Sequence, residues 1–403
     1  MTIVIVGSGL AGIIAAMMIR QLGSQSPVAI YSDEKYFYYP RPKLYDVLSG
    51  EIPPEKIIAF PEQWYEKRNI QLYVNKKVLK IDATNRAVVL EDGSKVTYEK
   101  LLLTNGAHPF VPPIQGIEKT GVFSLRSLED AITIRDFARK VENVTVVGGG
   151  LLGLEFAFAL KKLQLQVNVV EIFPWLLPMQ LDQEGAAIFQ NQIETQGIKV
   201  VLGVKTVEVL GNESVSGLLL DNGKTLSSNL VLFSTGIRPN IVLAQDSGIK
   251  VNKGVLVNQY MQTSATDVYA AGDIAEFEGK IYGIIPAAEE QARIAGNNMV
   301  GEGTTVYKGT VPSNTLKVLG IDLTSMGIIN PEGTKFEVIK KILPEKGIYK
   351  KIVLEQGKIV GTIILGETKS VGTIKRLMEM RADTSKYTDS LLEDDFNVNQ
   401  TIL

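Results

Sequence analysis

Two short stretches carry the residues best suited to chemistry on a nucleotide: Gly7-Ser8-Gly9-Leu10-Ala11-Gly12 and Gly148-Gly149-Gly150-Leu151-Leu152-Gly153. Each follows an apolar run, Ile3–Val6 or Val144–Val147, and each leads into helix-like sequence. In that setting the first glycine permits a tight turn, the second lets the backbone approach a pyrophosphate, and the third lets helix pack on strand. The diphosphate would rest on the unpaired N–H groups and positive dipole end of the helix. One such match is weak, because glycines also end helices and make ordinary turns. Two matches at strand-to-helix junctions, about 140 residues apart, point to two dinucleotide sites.

Carboxylates fall where adenosine riboses need them. Glu171 ends the run Val167–Val170, 18 residues past Gly153, and is expected to accept from a 2′-hydroxyl. The following Ile172-Phe173-Pro174-Trp175 carries no Lys or Arg for a 2′-phosphate, which argues for NADH over NADPH. In the first unit the matching position is Ser32-Asp33-Glu34, which reads equally as a solvated acidic turn. Tyr36 to Leu44 then sets four aromatics and two cations, Arg41 and Lys43, in nine residues. That composition suits a planar, anionic ligand; the alternative is an aromatic loop packed on the core.

The chain has no cysteine and one histidine. No disulfide, redox-active thiol pair, thiolate-held cluster or cysteine nucleophile can form within it. His108 follows Thr104-Asn105-Gly106-Ala107 without an evident orienting partner, so a structural role is expected. Redox chemistry here must be carried by a cofactor.

The elements that would position these residues follow from the patterning. A chain of 403 residues suits two or three domains. The spacing predicts strands at 2–6, 28–31, 71–74, 78–81, 86–90, 94–98, 101–104, 144–147, 167–170 and 230–233. It predicts helices over 10–22, 128–140, 151–163 and 286–300, with Asp92-Gly93 and Asn222-Gly223 as hairpin turns. The N-terminus of the late helix could again face an electron-rich ligand atom. Pro109, Pro112 and Pro113 mark the first boundary. From about Tyr307 strands at 335–340, 350–354 and 358–365 and a helix over 371–380 suggest a separate α+β domain. Between residues 308 and 386 there are 14 Lys/Arg and eight Asp/Glu, before the acidic Glu393-Asp394-Asp395. That is either a solvated surface or a basic face for an acidic protein. The net charge of −2 gives no reason to expect nucleic acid or anionic membrane as a partner. No apolar run approaches the roughly 18 residues of a membrane span. The first strand begins almost at once, and a cytoplasmic location is expected.

These motifs resemble the pyridine-nucleotide–disulfide oxidoreductase superfamily over the whole chain, and most closely its rubredoxin reductase branch. Besides the two glycine stretches, the resemblance rests on Tyr39 to Leu44, Thr104-Asn105-Gly106, Phe110-Val111-Pro112-Pro113, Leu154-Glu155, Thr235-Gly236-Ile237-Arg238-Pro239-Asn240 and Tyr269-Ala270-Ala271-Gly272-Asp273. It implies an α/β fold with two Rossmann-like domains in a glutathione reductase-like architecture, plus a C-terminal α+β domain. It implies FAD on residues 1–108 and 240–305, NADH on 109–239, and a further domain at 306–403. Asp273 is similar to the aspartate that holds the FAD ribitol. Lys43 matches a cation near flavin N5, and Glu155 a glutamate near the nicotinamide that could pair with it. The FAD-binding set implied also includes Arg41, Val78, Thr104, Gly106, Gly236, Gly272 and Ala287. Ser32 departs from the family's ribose-binding glutamate, so Asp33 or Glu34 must substitute or the contact is lost. The implied activity is hydride transfer from NADH to FAD, then electron delivery to a small carrier, rubredoxin foremost, from a monomer or homodimer. A peroxide-forming NADH oxidase, a quinone reductase and a non-catalytic redox sensor are the alternatives.

Overall fold

The computed structural model describes residues 2–301, 303–318, 320–393 and Phe396, with only the backbone of 313–318. The chain divides into two compact units. One comprises residues 1–110, 126–132 and 236–310; the other 111–125, 133–235 and 311–403. The first thus extends past the 1–108 and 240–305 division expected from sequence and adds the short segment 126–132. The C-terminal region shares a unit with the middle of the chain.

In the first unit a five-stranded parallel sheet runs in the order Val268–Ala270, Lys100–Leu103, Ile3–Val6, Val28–Tyr31, Ile70–Tyr73. The strand Ile3–Val6 is buried throughout, as its unbroken apolar sequence requires of a central parallel strand. Helices Leu10–Gln21 and Ile285–Val300 lie close together: a Cβ on Gly296 would stand 2.9 Å from Ala15 O. A small antiparallel sheet of Val78–Asp82, Ala87–Leu90 and Lys95–Thr97 turns at Gly93, whose φ of 80° suits the expected hairpin.

In the second unit another parallel sheet runs Ile198–Leu202, Gln166–Glu171, Asn143–Val147, Leu230–Phe233, Val122–Ser124. The glycine turn feeds helix Leu151–Lys162, and the helix beginning at Leu128 ends at Ala138, two residues short of the expected Lys140. The C-terminal part is a five-stranded antiparallel sheet, Ser313–Val318, Ile321–Gly327, Lys358–Leu365, Ile348–Glu355, Phe336–Leu343, with helix Val371–Met380 burying Ile374 and Leu377. Its first two strands were not expected from sequence. Asp394 and Asp395 lie outside the described residues.

Helix Gln183–Thr195 is tied to that sheet by Asp182. Its carboxylate caps the helix through Gly185 N–H at 3.0 Å and accepts from Tyr349 and from Lys351 Nζ at 2.7 Å. Burial raises the Asp182 pKa, but the bonds from Lys351, Tyr349 and Gly185 outweigh it and hold the carboxyl below its ordinary range. No described helix is long and apolar enough to cross a membrane.

Candidate dinucleotide-binding sites

Both glycine turns take the same backbone course. Gly7 and Gly148 have φ of 105° and 119°, where a side chain is strained. A Cβ on Gly7 would stand 2.4 Å from Thr104 O, and one on Gly148 2.2 Å from Ser234 O. The third glycines, Gly12 and Gly153, sit against the first: their Cβ atoms would come 2.2 Å and 1.9 Å from Gly7 O and Gly148 O. Only the middle glycines, Gly9 and Gly150, face open space, where a Cβ would meet nothing within 4 Å.

Those open glycines are the N-caps of helices Leu10–Gln21 and Leu151–Lys162. Neither helix start has a side-chain cap or an acidic residue in its first turn. Each carries roughly half a positive charge at that end. The Asp182-capped helix shows the contrast, with its carboxylate in place and Glu184 in the first turn. Two uncapped, electropositive ends with room for a diphosphate fit the phosphate groups of FAD and NADH.

Around the first turn, Thr104 Oγ1 donates to Val6 O and Gly7 O at 3.0 and 2.9 Å, which holds the tight turn. A cavity of about 450 Å³ opens beside Gly7, lined by Asp33, Lys77, Val78, Leu79, Asn105 and Val242 among others. Its rim carries the apolar Leu79 and Val242, 52% and 65% exposed, as suits an adenine ring. Ser32 is buried and accepts from Ser8 Oγ at 2.8 Å, so it offers no carboxylate. Glu34 turns away from this cavity to pair with Arg41 at 2.6 Å and to accept from Tyr39. Burial, partly offset by Arg41, keeps the Tyr39 hydroxyl well above its ordinary pKa. Asp33 alone of the expected acids lines the cavity.

Arg41 lines a second, narrower opening with Ser8, Gly9, Glu34 and Tyr38. The rings of the Tyr36–Tyr39 stretch are engaged mainly by protein. Phe37 meets Tyr65, Tyr38 lies parallel to Phe60, and Phe60 stacks on Trp64 at 4.2 Å. Phe37, Tyr38 and Tyr39 thus pack the loop and also line this opening, and of its two cations Arg41 reaches it. Lys43 is half exposed and pairs with Asp46 at 2.9 Å. Glu155 lies on helix Leu151–Lys162 of the other unit.

Asp273 pairs with Arg126 at 2.7 Å, and Arg126 Nη2 also lies 3.4 Å from where a Gly106 Cβ would be. Arg126 escaped the sequence reading because it stands in the short segment 126–132, far from every motif. Gly236 and Gly272 have φ of 104° and 82°, and Ala287 is buried in the first turn of helix Ile285–Val300. That helix start is also uncapped and free of acidic side chains. His108 Nδ1 lies 2.7 Å from Asn240 Oδ1, a partner 132 residues away.

In the second unit Glu171 is 6% exposed and accepts from Gly149 N at 2.6 Å and Phe173 N at 2.9 Å. The two N–H bonds fix its carboxylate at the end of the strand, beside the glycine turn. Ile172 and Phe173 next to it are more than half exposed. Leu10, Ala11, Leu151 and Leu152 form the first turns of their helices.

The family model for pyridine nucleotide-disulphide oxidoreductases matches residues 1–298, and that for the rubredoxin NAD+ reductase C-terminal domain matches 312–382. The NADH-rubredoxin oxidoreductase of Clostridium acetobutylicum is 31% identical over 397 residues, covering 98% of both chains. A nitrite reductase [NAD(P)H] of Bacillus subtilis is 37% identical over 385 residues, 95% of this chain and 48% of that protein. The chain spans about half the length of the nitrite and nitrate reductase relatives it matches. Among solved structures, a covalent putidaredoxin reductase–putidaredoxin complex has a TM-score of 0.84 at 25% identity, covering 95% of this chain and 94% of that one.

Proposed function

Because the chain belongs to the pyridine nucleotide-disulphide oxidoreductase family, which uses FAD and NADH, we propose that it is an FAD-dependent NADH oxidoreductase serving a small electron carrier, rubredoxin foremost. The observation that carries the reading is the pair of matched, uncapped glycine turns in a chain without cysteine. Bound FAD supplies the conversion of a two-electron hydride into single electrons, which no side chain here can perform.

The residues of the chain bind and orient. Gly9 N–H and the first turn of helix Leu10–Gln21 receive the FAD diphosphate, Asp33 its adenosine ribose and Asp273 its ribitol. Arg41 and Lys43 add positive charge, and the start of helix Ile285–Val300 adds a dipole end, both suited to an electron-rich flavin. Gly150 and helix Leu151–Lys162 take the NADH diphosphate, and Glu171 its 2′-hydroxyl; a 2′-phosphate there would face a fixed carboxylate. In this reading residues 1–108 and 240–305 serve FAD, 109–239 serve NADH, and the 306–403 region serves the acceptor. The C-terminal family match and the relative solved with its carrier support a protein acceptor.

Anaerobic titration of the purified protein with NADH, followed by oxidised rubredoxin, tests the reading. The expected result is bleaching of the flavin band at about one NADH per flavin and rapid recovery on adding rubredoxin. Bleaching that only oxygen or a quinone reverses would replace the acceptor and keep the enzyme class. No bleaching would overturn the oxidoreductase reading.

A further inference from the structure

A continuous line of hydrogen bonds runs from the Gly272–Asp273 turn to a carboxylate. Gly272 N–H donates to Gln291 Oε1 at 2.9 Å, and Gln291 Nε2 donates to the Tyr307 hydroxyl at 3.4 Å. The Tyr307 and Thr310 hydroxyls are 2.7 Å apart, and Thr310 donates to Glu290 Oε2 at 2.6 Å. Thr310 has one proton and gives it to Glu290, so Tyr307 must donate to Thr310 and accept from Gln291. Every donor therefore points toward Glu290.

Gln291 and Tyr307 are each 1% exposed, so an interrupted line would leave buried polar atoms without partners. Burial pushes the Tyr307 pKa up to about 12, and its hydroxyl stays a donor at neutral pH. Gly272 has φ of 82°, and a Cβ there would stand 3.0 Å from Ala11 Cβ in the first turn of helix Leu10–Gln21. The turn is therefore side-chain-free where it meets the glycine motif. The Gln291 bond is what holds its N–H.

Resting on the FAD reading above, we propose that Gln291 is a positioning residue for the cofactor. Anchored by Tyr307, Thr310 and Glu290, it fixes the Gly272–Asp273 turn and so aims the Asp273 carboxylate at FAD. Gln291 touches no reacting atom in this role. It acts through the backbone of Gly272, and its effect is felt in how tightly and at what potential the flavin is held.

The test is FAD dissociation from the full-length chain, measured by flavin fluorescence, beside the flavin midpoint potential and the melting temperature of the apoprotein. Gln291→Met removes both hydrogen bonds at similar length and should raise the FAD Kd about tenfold, as an orphaned buried N–H implies. Gln291→Glu keeps the acceptor for Gly272 N–H while losing the donor to Tyr307, and should bind FAD more weakly than wild type but more tightly than Gln291→Met. Thr310→Val breaks the line two links away at a half-buried position. It should weaken FAD about threefold alone and add nothing on top of Gln291→Met. Should Gln291→Met fail to fold, Thr310→Val decides. Folded Gln291→Met protein that holds FAD as tightly and at the same potential as wild type overturns the proposal alone. Wild-type protein that never retains FAD overturns the functional reading and this proposal with it.

Discussion

Gly7 and Gly148 donate their N–H groups to matching places in their two sheets, Tyr31 O and Val170 O, each at 2.8 Å. One residue later the turns part. In the first, Ser8 donates its hydroxyl to Ser32; in the second, Gly149 donates its backbone N–H to Glu171. The space at the second position of the turn differs as well. A Cβ on Gly149 would meet Leu176 Cδ2 at 2.6 Å and Glu171 Cβ at 3.1 Å, whereas position 8 holds a side chain, hydrogen-bonded to Ser32. Leu176, with Glu171 beside it, leaves no room for a side chain at position 149. Where the strand end is neutral, the acid facing the cavity comes one residue later, at Asp33.

The largest test of this likeness is to block each turn at its tightest point. Gly12→Ala should weaken FAD about 100-fold and yield nearly colourless protein, through a backbone clash worth up to roughly 3 kcal/mol. Gly153→Ala should keep its flavin, with the loss appearing only in NADH binding; the flavin-to-protein absorbance ratio separates the two. Similar flavin contents would break the assignment of one turn to each nucleotide.

The capped helix supplies the contrast with both open ones. Asp182→Asn should lower stability by about 2 kcal/mol in denaturant melts without changing affinity for either nucleotide. The Asp182 carboxyl is depressed in the folded chain, so its contribution is complete above the ordinary carboxylate value and fades as pH falls through the folded one. The stability gap between wild type and variant should accordingly close below about pH 4.

Glu171→Ala should raise the NADH KM about tenfold, the cost of one charged hydrogen bond, with FAD content unchanged. An unaltered KM would refute its role at the ribose. The smallest effect belongs to the first unit. Ser32→Ala should change the FAD Kd less than about threefold, because its hydroxyl serves Ser8; a large loss would mean that the two strand ends do the same work after all.

What the residues announced in advance was local. Glycine spacing after an apolar run fixes a turn, its strand and its helix within a dozen residues, and these were legible at both turns. The hairpin at Asp92-Gly93 was legible for the same reason. Arg126, Gln291 and the Asp182–Lys351 pair were not, since each acquires meaning from a partner 19 to 169 residues away. The packing of the aromatic run at Tyr36–Tyr39 on Phe60, Trp64 and Tyr65 was not legible either, because those partners lie more than 20 residues on. Strands Ser313–Val318 and Ile321–Gly327 mix polar and apolar residues without clean alternation, and their pairing in the C-terminal sheet defines them.

Asp182 has a consequence for how such chains can be recombined. One carboxylate serves as the cap of helix Gln183–Thr195 and as the counter-charge for Lys351 in the C-terminal sheet. A graft of some other C-terminal sheet onto this chain would have to bring its own lysine and tyrosine to positions 351 and 349. Without them, the transplant would leave an unneutralised acid at the helix start. Exchange of that region therefore has to preserve these three side chains, along with the Lys340–Glu184 pair and the bond from Gln192 to Gly347 O.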